Sequence, residues 1–262
     1  MGSGNGKRSE TYPPFKRLII GLERLLLRRF DCVSTISNRM LSKLFQKGVP
    51  SNKTLLFPNW VDTEVIYPLN GLNSFRKELG IPEDKVVALY SGNMGQKQGI
   101  DILIDVARRL KNRNIQFVLC GEGAVVNTIR NLAADLPDVI FLPLQPPEKL
   151  NDLLNLADIH LLPQKAEAAD LVMPSKLTGI FASGRPVVAM AKQDTEIGKV
   201  VWGRGVLVPP GDAAAFANAI IRLAENPEER EKLGMAARDF AVKELNRKKI
   251  LSQFTDALNP FA

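Results

Sequence analysis

Six short apolar runs recur along the chain: "VVALYSG" from Val86, "IQFVLCG" from Ile115, "VIFLP" from Val139, "DIHLLP" from Asp158, "PVVAM" from Pro186 and "GVLVPPG" from Gly205. Each is continuously apolar, the pattern of a strand buried on both faces of a parallel sheet. Helical periodicity fills the gaps. Ile100, Leu103, Ile104 and Ala107 make one apolar stripe, and further helices are expected near 125–134, 147–156, 212–225 and 227–245, the last opening at Pro227 and followed by the basic tail "NRKK". Six strands alternating with helices over about 130 residues specify an α/β fold, a doubly wound parallel sheet. In such a sheet a ligand sits beyond the carboxyl ends of the strands, where the strand order reverses.

The loops at those ends are "SGNMGQKQG", "GEGA", "LPLQPP" and "LPQKAEAADLVMPSK". Gly92, Gly95 and Gly99 allow close backbone approach to a phosphate, with Lys97 beside them, and Gly121 and Gly123 repeat the permissive backbone in the second loop. In the fourth, Pro174, Ser175 and Lys176 stand at a helix start whose apolar face is Leu177, Ile180 and Phe181, with Gly184 as its end. A first turn with unpaired N–H groups and a flanking lysine suits an anion, phosphate above all. An ordinary βα connection reads the same way, but here these features share one rim of one sheet.

Composition narrows the chemistry. Cys32 and Cys120 are far apart and give neither a disulfide framework nor a metal-ligand spacing, which fits a reducing, cytoplasmic compartment. His160 is the only histidine and falls in a strand, so a structural role is expected and most His-based catalytic sets are excluded. No apolar run approaches the ~18 residues of a membrane span, and "MGSGNGKRSE" reads as a tag scar or frayed terminus, not a signal peptide. Positions 1–47 carry ten Lys and Arg against three acidic residues, whereas positions 48–262 carry 25 of each sign. Within the basic part, residues 15–30 set Leu18, Leu22, Leu25 and Leu26 at helical spacing among Lys16, Arg17, Arg24, Arg28 and Arg29. Such a helix suits an anionic membrane surface, at the inner face of the membrane, or a polyphosphate; a solvated basic face on a packed helix is the alternative. Without aromatic interleaving or a nucleic-acid module, nucleic acid is not expected as a partner.

Ahead of the regular alternation, strand "DCVSTI", a helix capped by Ser37 and strand "KTLLF" form a βαβ unit, and "PNWVDTEVIYPLNG" reads as a connector. The connector, "YSGNMGQKQGIDILIDVA", "LCGEGA" and "PSKLTGIFASGRPVVA", in that order and spacing, resemble the nucleotide-sugar-binding half of a retaining glycosyltransferase of the two-domain GT-B type, in the bacterial exopolysaccharide (colanic acid type) group. The resemblance runs over about residues 31–250. It implies residues 1–57 as a remnant of an N-terminal acceptor domain, 58–82 as interdomain connector, 83–245 as the Rossmann-like donor domain and 246–262 as a C-terminal tail.

It also implies a site. Asn93 and Gln98 take the family's usual Arg and Lys positions, with Lys97 displaced by one; the family's paired glutamates fall near Leu171 and Gly179, where Asp170 and Lys176 are the nearest charged substitutes. Lys97, Lys176 and Asp170 are then the catalytic candidates. Gly92, Asn93, Gly95, Gln98, Gly121, Glu122, Pro174, Ser175 and Gly179 bind donor, and backbone around Leu142 to Leu144 meets the base edge. The implied reaction moves a sugar from a nucleoside-diphosphate sugar to a saccharide or lipid-linked acceptor, with retention, no metal, no cofactor and no protein nucleophile. Because the family's acceptor domain is largely missing, a nucleotide-sugar-binding module that needs a partner chain is the rival reading, and self-association through the uncovered remnant is expected. A GT-B sugar-nucleotide epimerase is a third, which the lack of an acid and base pair disfavours.

Overall fold

Every apolar run forms a strand. The computed structural model describes residues 14–71, 73–165 and 173–261, and these fall into two units, one holding 14–57 with 254–261 and the other 58–253.

The first unit contains α1 (Pro14–Arg29), β1 (Val33–Thr35), α2 (Asn38–Gln46) and β2 (Thr54–Leu56). β1 and β2 pair in parallel with Val33 opposite Thr54. α2 begins where its sequence says, because the Ser37 hydroxyl accepts the Met40 amide at 3.3 Å and satisfies a donor the first turn leaves unpaired. α1 is tied down at its polar side by the Lys47–Glu23 ion pair and by Arg28 Nε donating to Gly48 O at 3.1 Å. Its leucines stay exposed, Leu18 at 71% and Leu22 at 57%. Phe57 stacks on Phe254 with ring centroids 4.1 Å apart.

The second unit runs through α3 (Ser74–Glu78), β3 (Val86–Ser91), α4 (Asp101–Arg109), β4 (Ile115–Cys120), α5 (Val126–Leu132), β5 (Val139–Leu142), α6 (Leu150–Leu156), β6 (Ile159–Leu162), α7 (Lys176–Ala182), β7 (Val187–Met190), α8 (Glu196–Val201), β8 (Gly205–Val208), α9 (Ala213–Glu225) and α10 (Pro227–Glu244). The sheet has the order β5-β4-β3-β6-β7-β8, every pair parallel. Strand residues alternate between two cores, as the pleat requires. Ala88, Tyr90, Ile159, Leu161, Val188 and Met190 face the layer built by α4 and α9, with Ile104 and Phe216 in it. Val187 and Ala189 face Leu177, Phe181 and Ala237 of α7 and α10, while Val87 and Leu89 face Phe75 and Leu153 of α3 and α6. His160 is wholly buried in β6; its Nε2 lies 3.1 Å from Leu154 O, and burial pushes its pKa down to about 3, so it is a neutral donor to that carbonyl.

Two segments carry structure that the sequence reading did not anticipate. Residues 58–82, read as a connector, bury Val61, Ile66, Phe75 and Ile81 in the second unit, at spacings that match neither helix nor strand period. Residues 246–262, read as a C-terminal tail, are mostly helical, as α11 (Arg247–Leu258). α8 was also not expected; it is one short turn-and-a-half, started by Thr195 accepting the Gly198 amide at 3.0 Å.

α10 packs on α7 through Gly234, where an added Cβ would overlap the Gly184 carbonyl oxygen. In an exposed helix, Gly→Ala stabilises by about 1 kcal/mol. At this site the sign is reversed: Gly234→Ala is expected to destabilise by about 1–3 kcal/mol, the cost of overpacking, read as a lower denaturant midpoint with an unchanged slope.

Candidate functional site

The strand order turns back between β3 and β6, so the chains leaving their carboxyl ends diverge and leave a crevice. A cavity of about 520 Å³ occupies it. Its floor is Ser91 at the end of β3, Gly92 after it, Cys120 at the end of β4, and Ser175, Lys176 and Gly179 at the start of α7. One wall is apolar, made by Leu144, Pro147, Leu150 and Leu153; the other comes from Trp60, Val65 and Ile66 with Arg247.

Lys176 is the cation of the floor. Its Nζ lies 4.1 Å from the centroid of the Tyr90 ring, whose hydroxyl donates to Asn93 O at 2.6 Å and so fixes the first glycine loop. Gly92 has φ +131°, and a Cβ there would come within 2.9 Å of the lysine Nζ. Glycine at 92 therefore makes the space the ammonium occupies. Burial lowers the Lys176 pKa to about 8 and raises that of Cys120 to about 11; the buried Tyr90 hydroxyl is pushed up further. Cys120 Sγ donates to Pro143 O at 3.2 Å and is a wall, not a nucleophile.

The second glycine loop has a packing role that its sequence does not reveal. A Cβ at Gly121 would overlap Gly92 O, and one at Gly123 would overlap Met94 O. These glycines let the loops after β3 and β4 join, through Gly92 N to Cys120 O at 2.9 Å and Met94 N to Glu122 O at 2.7 Å. The helix start also differs from expectation: the amides of Leu177 and Thr178 are bonded to the carbonyls of Pro174 and Ser175, so the first turn offers fewer unpaired donors.

Of the residues singled out in the sequence, Gly92, Leu144, Ser175, Lys176 and Gly179 line the cavity. Asn93, Gly95, Lys97, Gln98, Gly121, Glu122, Leu142 and Pro174 do not line it, and Lys97 is exposed on its short 3₁₀ turn. Asp170 and Leu171 lie outside the described residues. At Gly179 a Cβ would stand 3.2 Å from Leu154 Cδ1, so a glutamate there requires Leu154 to move. Sequence reasoning missed Trp60 and Arg247. They meet because Val61 N donates to Leu245 O (2.9 Å) and Arg247 N to Val61 O (3.0 Å), which lays the guanidinium 5.3 Å from the Trp60 ring and 3.3 Å from Asp62. Only the "PNWVD" motif marked one half of that pair. The Glu64 amide, donating to Asp62 Oδ1 at 3.0 Å, holds that carboxyl below its usual pKa.

The sequence model of the family described as Glycosyl transferases group 1 matches residues 73–240. WcaI of Escherichia coli K12, named as a colanic acid biosynthesis glycosyl transferase, is 34% identical over 259 residues, covering 96% of this chain and 62% of its own length. WbjE of Pseudomonas aeruginosa, named as a glycosyltransferase, is 26% identical over 77% of this chain and 53% of its own. The chain thus spans between half and two thirds of these relatives. Among solved structures, Anabaena HepE in complex with UDP and glucose superposes with TM-score 0.80 at 19% identity, over 93% of this chain and 67% of that one. Sucrose-phosphate synthase of Thermosynechococcus elongatus gives 0.79 at 24%, over 98% and 64%. These likenesses give the fold.

The depressed Lys176 pKa has a consequence for stability. Its folded value is below the unfolded one, so the folded state carries a penalty for the desolvated ammonium that is complete below about pH 8 and is relieved as pH rises from there toward 10.5. The gap between wild type and Lys176→Met, measured as denaturant midpoints, is expected to shift in favour of wild type between about pH 7 and about pH 9.5. A gap independent of pH would show that Lys176 is not desolvated.

Proposed function

The chain belongs to the group 1 glycosyl transferases, and on that premise we propose that residues 58–253 bind a nucleoside-diphosphate sugar. The full enzyme then moves the sugar to a saccharide or lipid-linked acceptor in cell-surface polysaccharide synthesis. The observation that carries the reading is the cavity at the strand reversal, with a desolvated lysine on its floor beside a glycine and an apolar slot beyond. A diphosphate placed over Gly92 meets Lys176 and the backbone at Ser175. The base enters between Leu144, Leu150 and Leu153, its edge toward the backbone of 142–144. Lys97, Asn93 and Gln98 approach from the first loop, and Asp170 belongs to the fourth. The naming of WcaI for colanic acid biosynthesis and of HepE with UDP and glucose supports this choice of substrate class.

Charge develops on the departing diphosphate as the sugar becomes oxocarbenium-like, and a preorganised ammonium in a site of low dielectric stabilises it. Lys176 takes that role without a protein nucleophile. In the retaining, front-face form of the reaction the leaving phosphate itself accepts the proton of the acceptor hydroxyl. No metal and no cofactor enters this scheme. No described helix is long and apolar enough to cross a membrane. Association with an anionic membrane is assigned to α1 because its leucines are exposed beside Arg24, Arg28 and Arg29.

A second reading has support of its own. The chain spans 62% of WcaI, and among the described residues β1 and β2 pair only with each other, which leaves strand edges for self-association or a partner. On this reading the chain alone binds donor and turns it over only when an acceptor domain is supplied.

Titration with UDP and a UDP-sugar in the presence of chelator is expected to show binding. Lys176→Ala should weaken it by about 1.5–3 kcal/mol, the range of a hydrogen bond to a charged group, with an unchanged circular dichroism spectrum. An absolute requirement for magnesium or manganese, or equal affinity in the variant, would remove Lys176 from the diphosphate site.

A further inference from the structure

A larger cavity, about 690 Å³, opens at the opposite end of the sheet, where the chain enters β6 and β7. Asp158 and Arg185 sit just before those strands, and α10 supplies Arg230, Glu231 and Arg238. The hydrogen bonds decide which of these charges are spent. Asp158 Oδ2 accepts from Arg76 Nη2 at 2.6 Å and from the Val87 amide at 2.8 Å. Arg238 is occupied by three carbonyls, those of Ile66, Ala182 and Thr63. Asp239, also on the rim, pairs with Lys243 at 2.8 Å.

Arg185 is left over. Its one bond is a long one, Nη2 to Leu69 O at 3.4 Å, and its Nε is buried with no partner. Arg230 uses Nη1 alone, toward Leu223 O and Ala224 O. Neither forms an ion pair with a described carboxylate. Burial holds the Arg185 pKa below its ordinary value, opposed by Asp158 and reinforced by Arg76 and Arg230. Half-buried guanidiniums with unused donors and no ion pair are costly even with Asp158 and Glu231 on the same cavity, and a bound anion is the ordinary remedy.

We propose that this cavity is a second anion site, distinct from the one at Lys176, in which Arg185 and Arg230 hold the phosphoryl group of a phosphate monoester. Two guanidinium forks match a group with three terminal oxygens and up to two negative charges. The exposed side chains of Met235 and Val242, on the same cavity, provide an apolar flank for a small organic body.

The test uses the whole chain and the variants Lys176→Ala, Arg185→Gln, Arg230→Gln and the double variant at 185 and 230. Calorimetric titration with inorganic phosphate and with glycerol 3-phosphate in the Lys176→Ala background isolates this cavity from the other. Saturable binding is expected there, about tenfold or more weaker when either arginine is also replaced. A second readout is stability: phosphate should raise the Tm of the Lys176→Ala chain and leave that of the double arginine variant in the same background unmoved. Arg230→Gln alone keeps the comparison available should Arg185→Gln fail to fold. Binding that is unaffected by both arginine replacements, or none up to about 10 mM of either ligand, would overturn the assignment.

Discussion

A parallel sheet must be covered on both faces, and nearly everything functional in this chain is a consequence. Each strand is followed by a helix that returns on one side or the other. Only between β3 and β6 do neighbouring strands send their chains to opposite sides. The gap that results is lined by backbone turns and helix ends, groups unsuited to close packing and suited to a polar ligand. Lys176 stands in that gap because α7 must begin there to bury Leu177, Ile180 and Phe181 against the sheet. The helix's packing, not a separate device, delivers the cation.

The glycines divide the same loops between structure and chemistry. Gly121 and Gly123 are required because the loops after β3 and β4 bond to each other through their main chains, and a Cβ at either would occupy the partner's carbonyl. Gly92 instead makes room for a side chain, the lysine that crosses it to lie on Tyr90. A loop can thus be glycine-rich for reasons of assembly and still leave one glycine next to a ligand. The positive φ of Gly92 and Gly121, +131° and +144°, explains why other residues are disfavoured there even before the contacts are considered.

The fold was legible because doubly buried strands leave unbroken apolar runs, and all six appear in the sequence as such. The Ser37 cap and the Pro227 helix start were equally plain. Residues 58–82 and α11 were not, since Val61, Ile66 and Phe75 are buried by contacts to elements over a hundred positions away in some cases, as Arg238 to Thr63 illustrates. Of the site, Lys176 was readable from Pro174 and Ser175 beside it. Arg247 and Trp60 were not readable as a pair, because only the crossing of the chain at Val61 and Asn246 joins them. Arg185 between Gly184 and Pro186 looks like any polar turn residue; that it lacks an ion pair is visible only once Asp158 is seen to be taken by Arg76.

The charge distribution then separates two kinds of anion recognition. Residues 1–47 carry the whole net charge of +7, while residues 48–262 balance 25 cations against 25 acids. The second unit accordingly has little net field of its own to draw an anion from a distance, and what field there is decays within about 8 Å at physiological salt. In the two sites proposed for it, selectivity would rest on single cations removed from water, Lys176 over an aromatic ring and Arg185 between strand ends. Such groups act at contact range, where the lower effective dielectric makes one charge count for more than several on a wet surface. The basic N-terminal helix is in the opposite regime, with its charge in water and its leucines exposed, so the membrane association proposed for it is the component that salt should weaken first.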